Sequence, residues 1–297
     1  MKYRVLGKTG LKVSVIGLGT HQFSGEWAKE FSEDEVTKIL ERAQDLGINL
    51  LDTAECYGNH SVEELVGKSL GKQRKQWIVA TKFGHVYNQA APKTEAWSSS
   101  QVRRQLEDSL RALKTDYIDI YQFHSGSNKD FFNDKLWEML REQVSLGKVR
   151  FLALSLAGDL TAKNDLKQLQ SASSLGIDVV QALYNRLHPE AEEKILPYCE
   201  NHDLGVLTRV PLAKGFLSGS YRLGAIFPQD DIRSTYSAEF NDEQLRRVEE
   251  IKRNELPAGE DMAGWALRWC LRKPVVSSVI VGCKNIEQLE LNAAAVV

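Results

Sequence analysis

Four residues of chemically useful type stand at or just beyond the ends of short apolar runs: Asp52 and Tyr57 in NLLDTAECYG, Lys82 in IVATK and His124 in YQFH. A free phenol, with a pKa of about 10, is a poor proton donor at neutral pH. A neighbouring ammonium favours the phenolate and lowers that pKa, and a carboxylate holds the ammonium charged and in place. An imidazole beside them orients a carbonyl group by a hydrogen bond, which completes an acid–base device. Singly, each residue has an ordinary reading: Asp52 as a turn or helix cap, Tyr57 as a rim aromatic, Lys82 as a solvated lysine, His124 as a packed core histidine. Their arrival from three successive apolar runs favours the joint reading.

The elements that must position them are legible as eight β-rich runs: Val13–Leu18, Ile48–Leu51, Trp77–Thr81, Tyr117–Phe123, Val149–Ser155, Val179–Leu183, Val206–Thr208 and Ser277–Val281. Helical patterns lie between them. Val36, Ile39, Leu40, Ala43 and Leu46 share one face, as do Val102, Leu106, Leu110 and Leu113. Ser32 with Glu35, Ser61 with Glu64 and Asn285 with Gln288 have capping-box spacing. Gly47, Gly147, Gly176 and Gly205 fall where helices give way to strands. Such alternation predicts an α/β fold, a closed (β/α)8 TIM barrel in which right-handed crossovers join parallel strands, as one domain over residues 1–297. An N-terminal β-hairpin of Tyr3–Val5 and Leu11–Val13 is expected to cap it. Two long connections, Phe83–Ser98 and Pro211 to about Phe240, are candidate substrate or cofactor loops.

Composition narrows the function. The 38 basic residues against 40 acidic give a net charge of −2, which disfavours nucleic acid or a membrane surface as a partner. With 42% hydrophobic and 26% charged residues the chain is an ordinary globular one. Cys56, Cys199, Cys270 and Cys283 are scattered without CxxC pairing, and MKYRVLGKTG lacks a secretory apolar stretch. A reducing, cytoplasmic setting and no membrane span are expected. No feature of the sequence sets an oligomeric state.

Barrels place their chemistry just beyond the strand C-termini and often bind phosphate after strands seven and eight, at a helix N-terminus. Leu212, Lys214 and Gly215 follow the seventh run, and Lys284 follows the eighth at the start of the final helix. Trp27 is a candidate pocket wall, as are His85, Tyr87 and Trp97 from the first long loop. GLGTHQ (Gly17–Gln22) lacks the third glycine of a dinucleotide fingerprint; it is better read as a strand end whose Gly19 and Thr20 offer backbone to the site. His21, His60, His85, His188 and His202 show no metal-ligand spacing with one another or with cysteine. Trp265, Leu267, Trp269 and Leu271 read as a core helix.

Over nearly its whole length the chain resembles the aldo-keto reductase family. The residues carrying the resemblance are LLDTAECYG (Leu50–Gly58), ATK (Ala80–Lys82), DYIDIYQFH (Asp116–His124), GKVR (Gly147–Arg150), QALYN (Gln181–Asn185), PLAKGFLSG (Pro211–Gly219) and IVGCKNIEQLELN (Ile280–Asn292). The resemblance implies hydride transfer between NADPH and a small-molecule carbonyl or alcohol. Tyr57 would be the general acid, Lys82 and Asp52 would tune it, and His124 would orient the carbonyl. It further implies that Ser155 and Gln181 hold the nicotinamide carboxamide, that Lys284 and Gln288 meet the adenosine 2′-phosphate, and that Asn292 reads adenine. Two positions depart from the family pattern: Leu156 replaces the usual Asn, and Arg209 stands where an aromatic residue commonly stacks on the ring. The resemblance also extends to potassium-channel β-subunits, which keep the barrel and nucleotide but act mainly as regulators. A Schiff-base enzyme using Lys82 ranks below both, because it leaves Asp52 and Tyr57 without clear roles.

Overall fold

A computed structural model describes residues 1–88, 91–158 and 163–296, the side chains of 87–94, 163 and 164 excepted. Its strands are β1 (Tyr3–Val5), β2 (Lys12–Ser14), β3 (Ile16–Gly19), β4 (Leu50–Asp52), β5 (Ile78–Phe83), β6 (His85–Asn88), β7 (Ala91–Glu95), β8 (Ile118–His124), β9 (Val149–Ser155), β10 (Ile177–Leu183), β11 (Gly205–Arg209) and β12 (Val276–Val281). Eight of these, β3, β4, β5 and β8 to β12, close a barrel in which every neighbouring pair is parallel. β1 and β2 form the expected antiparallel hairpin.

Side chains alternate along a strand, so residues two apart share a face. On the inner face Leu50, Ala80, Ile120, Ala153, Val179, Leu207 and Ile280 pack into one apolar cluster, closed below by Leu6, Leu11 and Val13 from the hairpin. Two residues further along the same strands come Asp52, Lys82, Gln122, Ser155, Gln181 and Arg209. One barrel layer is therefore apolar plug, and the next is polar floor. The larger cluster lies outside the strands, where Val36, Ile39 and Leu40 of helix Glu33–Asp45 and Val102 and Leu106 of helix Ser99–Ala112 meet the barrel.

Local signals explain most boundaries. Ser32 and Glu35 form a complete capping box, and Ser98 with Gln101 forms another that the sequence reading did not anticipate. Ser61 is no cap. Its helix, Ser61–Leu70, starts after His60 in a left-handed conformation with φ 67°, without a side-chain cap bond. The run Val13–Leu18 also divides differently from expectation, because the hairpin arm extends to Ser14. There Ser14 accepts the Asn49 N–H and receives the Asn49 side-chain oxygen on its own N–H, and the barrel strand begins at Ile16. Phe83–Ser98 contains the hairpin β6–β7. Helix Met262–Leu271 is buried on most sides, as read. Among the described residues no helix is long and apolar enough to cross a membrane.

Candidate active site

The polar floor opens into a cavity of about 630 Å³. Its lining includes every catalytic and cofactor-binding candidate named from the sequence except Ser155, and Trp27 of the wall candidates, but not His85 or Trp97. At its centre Lys82, only 1% exposed, donates to Asp52 Oδ2 at 2.7 Å, to the Thr53 carbonyl at 2.7 Å and to the Tyr57 hydroxyl at 3.2 Å. Asp52 is fixed in turn, its Oδ1 accepting from Gln122 Nε2 at 2.9 Å and Gln181 Nε2 at 2.7 Å. A buried carboxylate with this many donors is held in one rotamer, and it aims the ammonium at the phenol.

Electrostatics follow from burial and charge together. At Lys82 burial works against the ammonium, yet the Asp52 charge, the phenol and the hydrogen bonds to both outweigh it and raise the pKa. At Tyr57 burial is the largest influence and pushes the phenol up to about 12. The charge of Lys82 pulls down, as expected, but Asp52 and Cys56 add to the burial. The expected lowering of the phenol is thus corrected in sign. Tyr57 holds its proton at neutral pH as a loaded donor, with the ammonium at hand to stabilise the oxygen once the proton leaves.

His124 ends β8 on the cavity wall. Its Nδ1 lies 3.8 Å from Cys56 Sγ, and His85 meets its ring edge-on at 4.8 Å between centroids. Trp27 donates to His21 Nδ1 at 3.3 Å, and His21 packs on Tyr57 at 4.7 Å, so these two form the wall beside the phenol. Trp97 does not line the cavity; it stacks on Phe123 at 4.4 Å in the core. The side chain of Tyr87 lies outside the described residues.

Ser155 is buried within the floor, its Oγ donating to Gln181 Oε1 at 3.5 Å. The two departures, Leu156 and Arg209, turn out to be coupled. Leu156 is buried and gives its N–H to the Gln181 carbonyl, while Arg209 Nη2 donates to the carbonyls of Leu156 at 3.2 Å and Ala157 at 2.8 Å. The guanidinium therefore braces the chain leaving β9.

The far end of the cavity is cationic. After β11 the backbone is left-handed at Val210, Ala213, Lys214 and Gly215, with φ of 58, 47, 56 and 93°. Of these only Gly215 is a glycine, the residue that adopts such a conformation without strain, and the N–H groups of Ala213 and Gly215 are spent on the Val210 and Leu212 carbonyls at 2.9 and 2.8 Å, which closes the turn. Lys214, Arg233 and Lys284 stand around it. Lys214 bonds the Tyr236 hydroxyl, Arg233 grips Asp231 through Nε at 2.8 Å and Nη2 at 2.7 Å, and Lys284 Nζ donates to the Trp27 carbonyl at 2.5 Å. Burial lowers the pKa of Lys214 and of Lys284. Gln288 uses its side-chain oxygen to accept the Lys284 N–H at 2.8 Å, and Asn285 caps the Gln288 N–H at 2.9 Å. Asn292 is nearly buried at the same wall.

Sequence reasoning missed Gln122, His21 and Arg233. Gln122 was readable, because it precedes His124 by two residues on one strand and so shares its face. Arg233 was not, since it sits in a long connection without periodicity.

The profile of the Aldo/keto reductase family matches residues 15–297. An uncharacterized oxidoreductase of Bacillus subtilis, YrpG, is 31% identical over 100% of this chain and 91% of its own length. An aldo-keto reductase from Bacillus halodurans, solved in its holo form, is 30% identical with a TM-score of 0.80, covering 100% of this chain and 91% of that one. A glycerol dehydrogenase from Gluconobacter oxydans has a TM-score of 0.82 at 27% identity, covering 99% and 90%.

Proposed function

The chain belongs to the aldo/keto reductase family, whose activity is NAD(P)-dependent oxidoreduction, and within it we propose a cytoplasmic, NADP-dependent reductase of aldehydes and ketones. One observation carries this reading: the buried relay from Asp52 through Lys82 to Tyr57, joined at 2.7 and 3.2 Å on the floor of a cavity that His124 also lines. The residues present suit a phosphorylated dinucleotide, because three cations, Lys214, Arg233 and Lys284, stand at one end of the cavity and the amide of Gln181 at the other. Bound there, such a cofactor supplies a hydride.

The chain's own residues do the rest. Lys214 and Lys284 hold phosphate charge, Gln288 and Asn292 flank them, and Gly19, Thr20, Gly215 and Leu212 contribute close backbone or wall. Ser155 acts through Gln181 rather than by facing the ligand. His124 orients the carbonyl, Tyr57 gives its proton to the carbonyl oxygen, and Lys82, held by Asp52, stabilises the phenolate left behind.

Tyr57→Phe removes one oxygen and leaves the cavity intact. It should bind NADPH nearly as the parent does and lose about 100-fold or more in turnover of generic aldehydes, read as NADPH oxidation. Retention of near-parental kcat would refute Tyr57 as the acid. A regulatory reading has one observation in its favour: a probable voltage-gated potassium channel subunit beta of Arabidopsis thaliana is 29% identical over 100% of this chain. Rapid turnover of any aldehyde in a panel decides against it, and tight NADPH binding without turnover decides for it.

A further inference from the structure

The turn that delivers Tyr57 also delivers two residues that the proposed reaction does not use. Glu55 and Cys56 are each 2% exposed, and a Glu55 carboxylate oxygen, Cys56 Sγ and a ring nitrogen of His124 all lie within 4.8 Å of one another. Cys56 Sγ and His124 Nδ1 are 3.8 Å apart. Sulfur and nitrogen ligands of one tetrahedral zinc ion, at about 2.3 and 2.0 Å from the metal, stand about 3.5 Å from each other. A small side-chain adjustment thus brings the pair to bonding geometry. Glu55 supplies a second, independent sign. One of its oxygens accepts the His85 N–H at 2.9 Å, which orients the carboxylate, while Oε2 is buried with no hydrogen-bond partner. Leaving a carboxylate oxygen buried and unsatisfied is costly, and either a proton or a cation at that oxygen relieves the cost.

From this geometry we infer a binding site for a single soft divalent cation of the zinc class, held by Glu55, Cys56 and His124. The donor set of one thiolate, one imidazole and one carboxylate is typical for that ion and poor for magnesium or calcium, which favour oxygen alone. Binding sends the Cys56 thiol proton to solvent. Entry is through the cavity that His124 lines. Three protein donors leave the fourth position open, so the ion competes with Tyr57 for a carbonyl oxygen, and occupation inhibits the enzyme. That inhibition rests on the proposed function; the site does not.

The test is a titration of chelator-stripped protein with Co²⁺, whose bond to a thiolate gives a near-ultraviolet charge-transfer band. The band should saturate at one equivalent and be bleached by Zn²⁺. Cys56→Ser should abolish it and Glu55→Gln should weaken the binding about tenfold or more. Cys283→Ser, which alters a cysteine that lines the cavity away from this cluster, should keep it. Absence of the band in the parent protein, or its survival in Cys56→Ser, overturns the site. Should Cys56→Ser fail to fold, the parent titration and Glu55→Gln decide. Zn²⁺ at saturation should reduce aldehyde turnover about tenfold, reversibly with chelator, and unchanged turnover in metal-loaded protein overturns the inhibition alone.

Discussion

Lys82 carries more of the site than its single charge suggests, because it both donates to the Tyr57 hydroxyl and pairs with buried Asp52. Deleting it does two separable things. Lys82→Met removes the stabiliser of the phenolate, so reductive turnover should fall about 100-fold or more. It also leaves Asp52 as an uncompensated buried charge, and breaking a buried pair from one side costs about 3–5 kcal/mol. The double variant Asp52→Asn with Lys82→Met removes both charges. It should regain most of the lost stability in a denaturant titration while remaining inactive. A double variant as unstable as Lys82→Met would show that the ammonium matters to the fold through packing rather than charge.

Glu192 fastens the strand that carries Gln181 to the helix behind it. It accepts from the Tyr184 hydroxyl at 2.7 Å, just past β10, and from Arg272, and it pairs with Lys273 at 2.8 Å beyond helix Met262–Leu271. Partial burial raises the carboxyl's pKa, but these donors outweigh it and hold the group at about 2, against an ordinary 4.5. A depressed pKa gives stability that is present above the unfolded value and lost as pH falls toward the folded one. Glu192→Gln should therefore lower stability at pH 7 by about 1 kcal/mol once solvent screening is counted. The gap should close as melting is repeated below pH 4, and a constant gap would mean that shape, not charge, is responsible. At this scale the sequence was most readable. Six inward apolar residues, such as Leu50 and Val179, each announce the polar floor two positions on, because the period of a strand is fixed. Ser14, Asn49 and the β6–β7 hairpin were not readable, since a kink set by cross-chain hydrogen bonds and a pairing inside a loop leave no periodic trace.

Across the whole molecule the cavity is walled by segments far apart in sequence. Trp27 pairs with Asp231 as a β-bridge, Lys29 donates to the Lys284 carbonyl at 2.7 Å, and Lys284 reaches back to Trp27. The tetrad's location was legible because strand ends are fixed by the barrel, whereas this arrangement of loops was not, for nothing local specifies which loop meets which. It bears directly on cofactor choice. A charge-assisted contact to a 2′-phosphate is worth about 1.5–3 kcal/mol, or about 10- to 150-fold in affinity. Lys284 already spends one of its three donors on the Trp27 carbonyl, which ties its position to that loop, so the net gain should sit near the lower end. Lys284→Ala should accordingly weaken NADPH about tenfold in a fluorescence titration and leave NADH nearly unchanged. Equal weakening of both would mean that Lys284 serves by holding the Trp27 loop in place, and that Lys214 or Arg233 meets the phosphate instead.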